Sequence, residues 1–159
     1  VRTAGDLTIT GSSIPAGRSV VIVATGTVTI DGSITYANGP FGSINDIPQV
    51  VIVAQNINIR SGVGRVDAWL VASGTINTCS DFSGNLTSNK CPGLLEVNGP
   101  VVTNRLILNR TAGAGTGAQS GDPSERFNLR SDAYLWARLQ SIGSNKAQTV
   151  YSTELPPRF

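Results

Sequence analysis

The stretch "VVIVATGTVTI", Val20 to Ile30, is written again as "VVIVAQNINI", Val50 to Ile59, and this echo decides the fold. Val23-Ala24-Thr25-Gly26-Thr27-Val28-Thr29 returns as Val71-Ala72-Ser73-Gly74-Thr75-Ile76-Asn77. A looser copy is Val53-Ala54-Gln55-Asn56-Ile57-Asn58, and a worn one is Val97-Asn98-Gly99-Pro100-Val101-Val102. Each copy reads as an apolar strand, a bend at Gly or Asn, then a second strand with alternating residues. Such a unit cannot bury its own apolar face. Stacked about 4.8 Å apart, successive copies can, with each strand paired to the coil above and below.

The anchors Val23, Val53, Val71 and Val97 lie 30, 18 and 26 residues apart. Uneven periods of that size fit a solenoid whose strands keep register while its turns lengthen outward. The expected fold is therefore all-β, a right-handed parallel β-helix (solenoid) with a C-terminal packing or capping α-helix. Handedness rests on the commoner form alone. The four valines are expected to stack in a single inward-facing column. A β-sandwich with Greek-key turns is the alternative, since it too has many short strands.

Three segments follow from this reading. Residues 1–110 hold the coils, with "ANGPFGSINDIPQ" (37–49) and "CSDFSGNLTSNKC" (79–91) as outgrowths. Residues 111–121, "TAGAGTGAQSG", form a Gly and Ala-rich linker. Residues 122–159 are read as a C-terminal helix and extended tail packed on the solenoid. Asp122-Pro123-Ser124-Glu125 has the form of a helix start, and Ser131 offers a second start before "DAYLWARLQSI", which Gly143 closes. Leu135, Trp136, Leu139 and Ile142 are expected on one face, to close a coil end or lie on the flank.

Composition narrows the chemistry. The 159 residues carry 12 basic and 10 acidic side chains, a net +2, with the basic residues scattered, so no nucleic-acid partner is expected. No apolar run approaches the ~20 residues of a membrane span, and "VRTAGDLTIT" does not read as a signal peptide; no direct membrane insertion is expected. The chain has no His, which removes Ser-His-Asp and Cys-His nucleophilic sites and zinc hydrolases as usually built. Paired carboxylates could still cleave a glycoside. The acidic residues are Asp6, Asp31, Asp46, Asp67, Asp81, Glu96, Asp122, Glu125, Asp132 and Glu154, none closely spaced within a coil wall. Asp31 and Asp67 are the pair that coil stacking could bring together. A non-enzyme without catalytic, cofactor-binding or metal-binding residues is expected.

Cys79 and Cys91 bracket one polar loop, and two thiols without His cannot make a four-ligand zinc site. A structural disulfide is expected, with a secreted or cell-surface location to match. The 37–49 loop offers oxygen ligands but no calcium-loop spacing. Outward threonines, Thr8 with Thr10 and Thr27 with Thr29, are too few for an ice-binding array. Asn85 and Asn109 match the glycosylation acceptor pattern.

"VVIVATGTVTIDGSI", "VVIVAQNINI" and "WLVASGTIN", with the tail "ERFNLRSDAYLWARLQ" and "TVYSTELPPRF", resemble bacterial cell-surface β-solenoid proteins of an uncharacterised exported type. The resemblance implies an extracellular structural or adhesive role and carries over no active-site residues. A glycan or protein ligand would then meet the loops 37–49 and 79–91. Two other functions stay open: a self-assembling filament or envelope subunit, forming a homo-oligomer through the solenoid end at "VRTAGDLTIT", and a polysaccharide-binding or polysaccharide-cleaving β-helix.

Overall fold

The repeated phrases become parallel strands laid in register on one another. A computed structural model describes residues 1–82, 91–111 and 123–144, and the linker, much of the 79–91 loop and the tail after 144 fall largely outside them. Thirteen strands and one helix are present among the described residues. In chain order the strands are β1 (Arg2–Thr3), β2 (Leu7–Ile9), β3 (Ser12–Ile14), β4 (Ser19–Ala24), β5 (Thr27–Ile30), β6 (Ile34–Tyr36) and β7 (Gln49–Ala54). Then come β8 (Asn56–Ile59), β9 (Arg65–Val66), β10 (Trp69–Asn77), β11 (Leu95–Asn98), β12 (Val101–Ile107) and β13 (Glu125–Asn128). The helix α1 spans Ser131–Ser144.

All the strand pairings are parallel. An eight-stranded sheet has two limbs, β1-β4-β7-β10 and β2-β5-β8-β10, joined through the long β10, which β12 also pairs. A five-stranded sheet runs β3-β6-β9-β11-β13. The chain visits first limb, second limb and second sheet in that order, then repeats. A sandwich of antiparallel strands is thereby excluded.

Period-two alternation decides which side chains enter the core. On the first limb Ile22, Ile52, Leu70 and Val101 stack inward. On the second limb Val28, Ile57 and Ile76 do, at no more than 1% exposure. In the second sheet Ile34, Val66 and Val97 form the facing column. Each such buried aliphatic side chain contributes roughly 1.5–3 kcal/mol.

The expected valine column needs correcting on two counts. Val23, Val53 and Val71 do stack in register, but on the outer face and half-buried. A one-residue offset in a strand turns a side chain to the other face, and the inward places belong to their neighbours Ile22, Ile52 and Leu70. Val97 is fully buried in the second sheet, on Val66. Val102 stands on Val71 instead.

The bend glycines serve a different purpose from the one expected. Gly26 and Gly74 do not use the left-handed region. They leave room for a side chain of the neighbouring pass of the chain: a Cβ on Gly74 would lie 2.6 Å from Asn56 Oδ1, and one on Gly26 would strike Asp6 Oδ1. Those oxygens accept the next backbone N–H, Thr27 N from Asp6 at 2.7 Å and Thr75 N from Asn56 at 3.0 Å.

The segment after the linker also differs. Glu125–Asn128 is a strand and not a helix start, because pairing with β11 gives its backbone a full ladder, and Asn128 Nδ2 donates to Asn98 Oδ1 at 2.9 Å. The helix begins at Ser131 and continues through Gly143. Its inner side is Ala133, Trp136 and Leu139; Leu135 is 47% exposed, off the expected face.

Candidate functional site

An outer cleft of about 800 Å³ runs across the bends of the eight-stranded sheet. Its floor is small: Ala24, Ala54 and Ala72 recur at the same register position, followed by Thr103. The outward Val53, Val71 and Val102 form an aliphatic wall, while Thr25, Gln55, Ser73 and Asn104 provide hydroxyls and amides on the other side. The sequence repeat makes this layout, since the same bend falls at the same place on successive passes. None of the lining side chains titrates. The chemistry on offer is hydrogen bonding and apolar contact.

Below the second limb the outward ladder Thr8, Thr29, Asn58 and Asn77 continues the polar surface. Asn109 lies beside it and donates from Nδ2 to Asn77 Oδ1 at 3.2 Å. Its amide nitrogen is thus engaged and half-buried, whereas Asn85 lies outside the described residues.

A second polar cluster occupies the corner between the second sheet and β10. The buried Asp67 carboxylate accepts from Tyr36 N at 2.8 Å, Arg65 Nε at 2.8 Å and Asn98 Nδ2 at 2.7 Å. Arg130 lies 3.9 Å from it and 4.7 Å over the Tyr36 ring, and pairs with Asp132 at the start of α1. Burial lowers the Arg130 pKa, but the bond and charge of Asp132 outweigh it and hold the guanidinium above its ordinary value. The Asp67 side chain bonds Arg65, which raises that arginine too. Burial pushes the Tyr36 phenol up to about 12, opposed by the bond it accepts from Val50 N at 2.6 Å. With its oxygens bonded by protein donors, Asp67 anchors the corner.

Asp31 and Asp67, the pair that stacking could have joined, take different partners. Asp67 is enclosed at this corner, while Asp31 sits after β5 and pairs with Arg60 at 3.3 Å. Asp81 takes the other flank of Arg60 at 3.9 Å, a convergence that the sequence spacing hid. Burial pushes the Asp81 carboxyl up, but bonds from Ser61 Oγ and N and the charge of Arg60 bring it below its ordinary value. A glycosidase acid needs the opposite shift. Among the described residues no three His, Cys, Asp or Glu side chains come together as metal ligands.

Arg110 is a residue that sequence reasoning missed. It is 8% exposed and donates to the carbonyls of Thr78, Ser61, Arg60 and Val63 at 2.7–2.9 Å. Burial pulls its pKa down, against the charges of Glu125 and Asp81. Glu125 Oε1 accepts from Arg110 N and Thr78 Oγ1, which ties the later strand to earlier parts of the chain.

The expected disulfide joins Cys79 and Cys91, with Cα atoms 6.2 Å apart. The 37–49 loop is folded inward in part: Ile47 and Gln49 are buried, Asp46 caps the 3-10 turn Ile44–Asp46 through Ser43 N, and α1 packs on that turn. Gln49 Oε1 accepts from Trp69 Nε1 at 2.9 Å. No helix among the described residues is long and apolar enough to cross a membrane. Comparison with protein-family models, with curated proteins and with solved structures finds no match.

Proposed function

We propose that the chain is a right-handed parallel β-helix serving as a non-enzymatic, adhesive module of a bacterial surface protein. The handedness follows the strong rule for crossovers between parallel strands of one sheet. An extracellular place is supported by the disulfide, which persists in oxidising compartments. The bacterial surface setting rests on the resemblance of the repeats and the tail.

The observation that carries the adhesive reading is the uncharged outer cleft. Its hydroxyls and amides recur along the stack, a spacing suited to a linear, hydroxyl-rich polymer such as a neutral glycan. No acid or base lines it to cleave what it holds. A glycan array followed by a reducing-sugar assay tests this. Retention of a neutral glycan without release of reducing ends is expected, and Val71→Arg, which fills the cleft, abolishes retention. Release of reducing ends, or binding untouched by Val71→Arg, contradicts the reading.

A further inference from the structure

The tripeptide Asn-Gly-Pro stands twice in the chain, as Asn38-Gly39-Pro40 and as Asn98-Gly99-Pro100. Asparagine is a thermolabile residue, because the next backbone nitrogen can attack its side-chain amide. A following glycine favours that attack, having no Cβ to hinder the approach. The fold treats the two copies in opposite ways.

At the second copy every reacting group is held. Asn98 is 9% exposed, its Nδ2 donates to Asp67 Oδ1 at 2.7 Å, and its Oδ1 accepts from Asn128 Nδ2 at 2.9 Å. The nucleophile is tied as well, since Gly99 N donates to Asn128 O at 2.9 Å. Gly99 packs so closely that a Cβ there would strike Ala68 O, which leaves the backbone no room to turn. At the first copy Asn38, Gly39 and Pro40 are all exposed and lie outside every strand and helix. Among the described residues nothing bonds the Asn38 side chain or Gly39 N. The nearest atoms to a Cβ on Gly39 would belong to Phe41, at 3.3 Å.

We propose that Asn38 is a site of spontaneous deamidation, and that the fold protects Asn98 from the same reaction. Gly39 N attacks Asn38 Cγ and gives up its proton; the bond from Cγ to Nδ2 breaks, and Nδ2 takes up that proton and leaves as ammonia. Water then opens the cyclic imide at either carbonyl, yielding aspartate from one and isoaspartate from the other. The net charge of +2 falls by one, and isoaspartate adds a methylene to the main chain. The open stretch absorbs it, being fastened on one side by Ala37 N to Ile14 O at 2.9 Å and on the other by the Ser43 and Asp46 cap. The sheets therefore survive the change. None of these residues lines the outer cleft, so this proposal and the glycan reading stand or fall separately.

Incubation of the folded, oxidised 159-residue chain at mildly alkaline pH, with peptide mass mapping over time, tests it. The peptide carrying Asn38 is expected to gain the mass of amide-to-acid exchange, to carry solvent oxygen when the water is isotopically labelled, and to accept a methyl group from an isoaspartyl methyltransferase. Conversion at Asn38 should run at least about tenfold faster than at Asn98, which reacts only in opened molecules. In urea, where both sets of bonds are lost, the two should convert at similar rates. Asn38→Gln, whose longer side chain closes the ring slowly, abolishes the gain at that position. Equal rates in the folded chain, no conversion at Asn38, or an Asn98 that stays slow in urea each overturn the proposal.

Discussion

Trp136 of the helix meets Trp69 of β10 edge to face, with ring centroids 5.9 Å apart and planes at 61°. Trp69 is held in turn by Gln49 through its indole N–H. The helix is thus fastened to the sheet by a ring pair on one side and by Arg130 over Tyr36 on the other. Such an aromatic pair is worth about 0.5–1.5 kcal/mol beyond area burial. Trp136→Ala is expected to release α1 and to lower the stability by about 1–3 kcal/mol once lost burial is included. Near-ultraviolet dichroism should lose the coupled indole signal while the far-ultraviolet strand signal persists.

Arg110 gives a sharper effect. Arg110→Met takes the side-chain donors from four backbone carbonyls, which is expected to cost about 3–5 kcal/mol in chemical denaturation. The backbone N–H of residue 110 remains for Glu125, so the loss reads chiefly on the carbonyls. Arg105→Met, at an exposed site, should change stability by less than about 0.5 kcal/mol.

Alkaline pH should unfold the protein in a defined window. The Tyr36 phenol, at 10.0 in the open chain, is pushed up to about 12 when folded. Above pH 10 the unfolded chain loses this proton while the folded chain keeps it, so stability falls as pH rises toward 12. Tyr36→Phe removes that slope, at the cost of the bond to Val50 N. Thermal midpoints between pH 9 and 12 check it, on buffers spanning roughly the phenol range.

At acid pH the sign reverses. Asp81 is held below its ordinary 3.8, so its contribution is present above that value and fades as pH falls through the folded pKa. Asp81→Asn should flatten the acid limb when thermal midpoints are followed from about neutral pH down through the carboxylate range.

Reduction of Cys79–Cys91 removes a cross-link across 12 residues of sequence. The loss expected is about 2–4 kcal/mol, seen as a lower denaturant midpoint under reductant.

The fold was legible where the chain repeats itself. Val23-Ala24-Thr25-Gly26 and Val71-Ala72-Ser73-Gly74 announce equal bends, and the strands do stack there. The face was not legible, because runs such as "VVIVA" are apolar at both parities and no alternation says which residue points inward. Glu125–Asn128 was hidden by a cap-like signal, and its strand depends on β11 thirty residues earlier. The cleft needs parallel strands far apart in sequence and has no local motif. The arginine bias, ten Arg to two Lys, gains a partial reason in Arg110 and Arg130, whose forked donors serve several acceptor atoms at once.

The central claim is that successive passes lie in parallel register, and Val53 tests it most directly through nuclear Overhauser contacts of its backbone. Cross-strand contacts to both Val23 and Val71, in the staggered pattern of parallel strands, are expected. Contacts from Val53 to a strand running the opposite way, or to only one of the two valines, would contradict it.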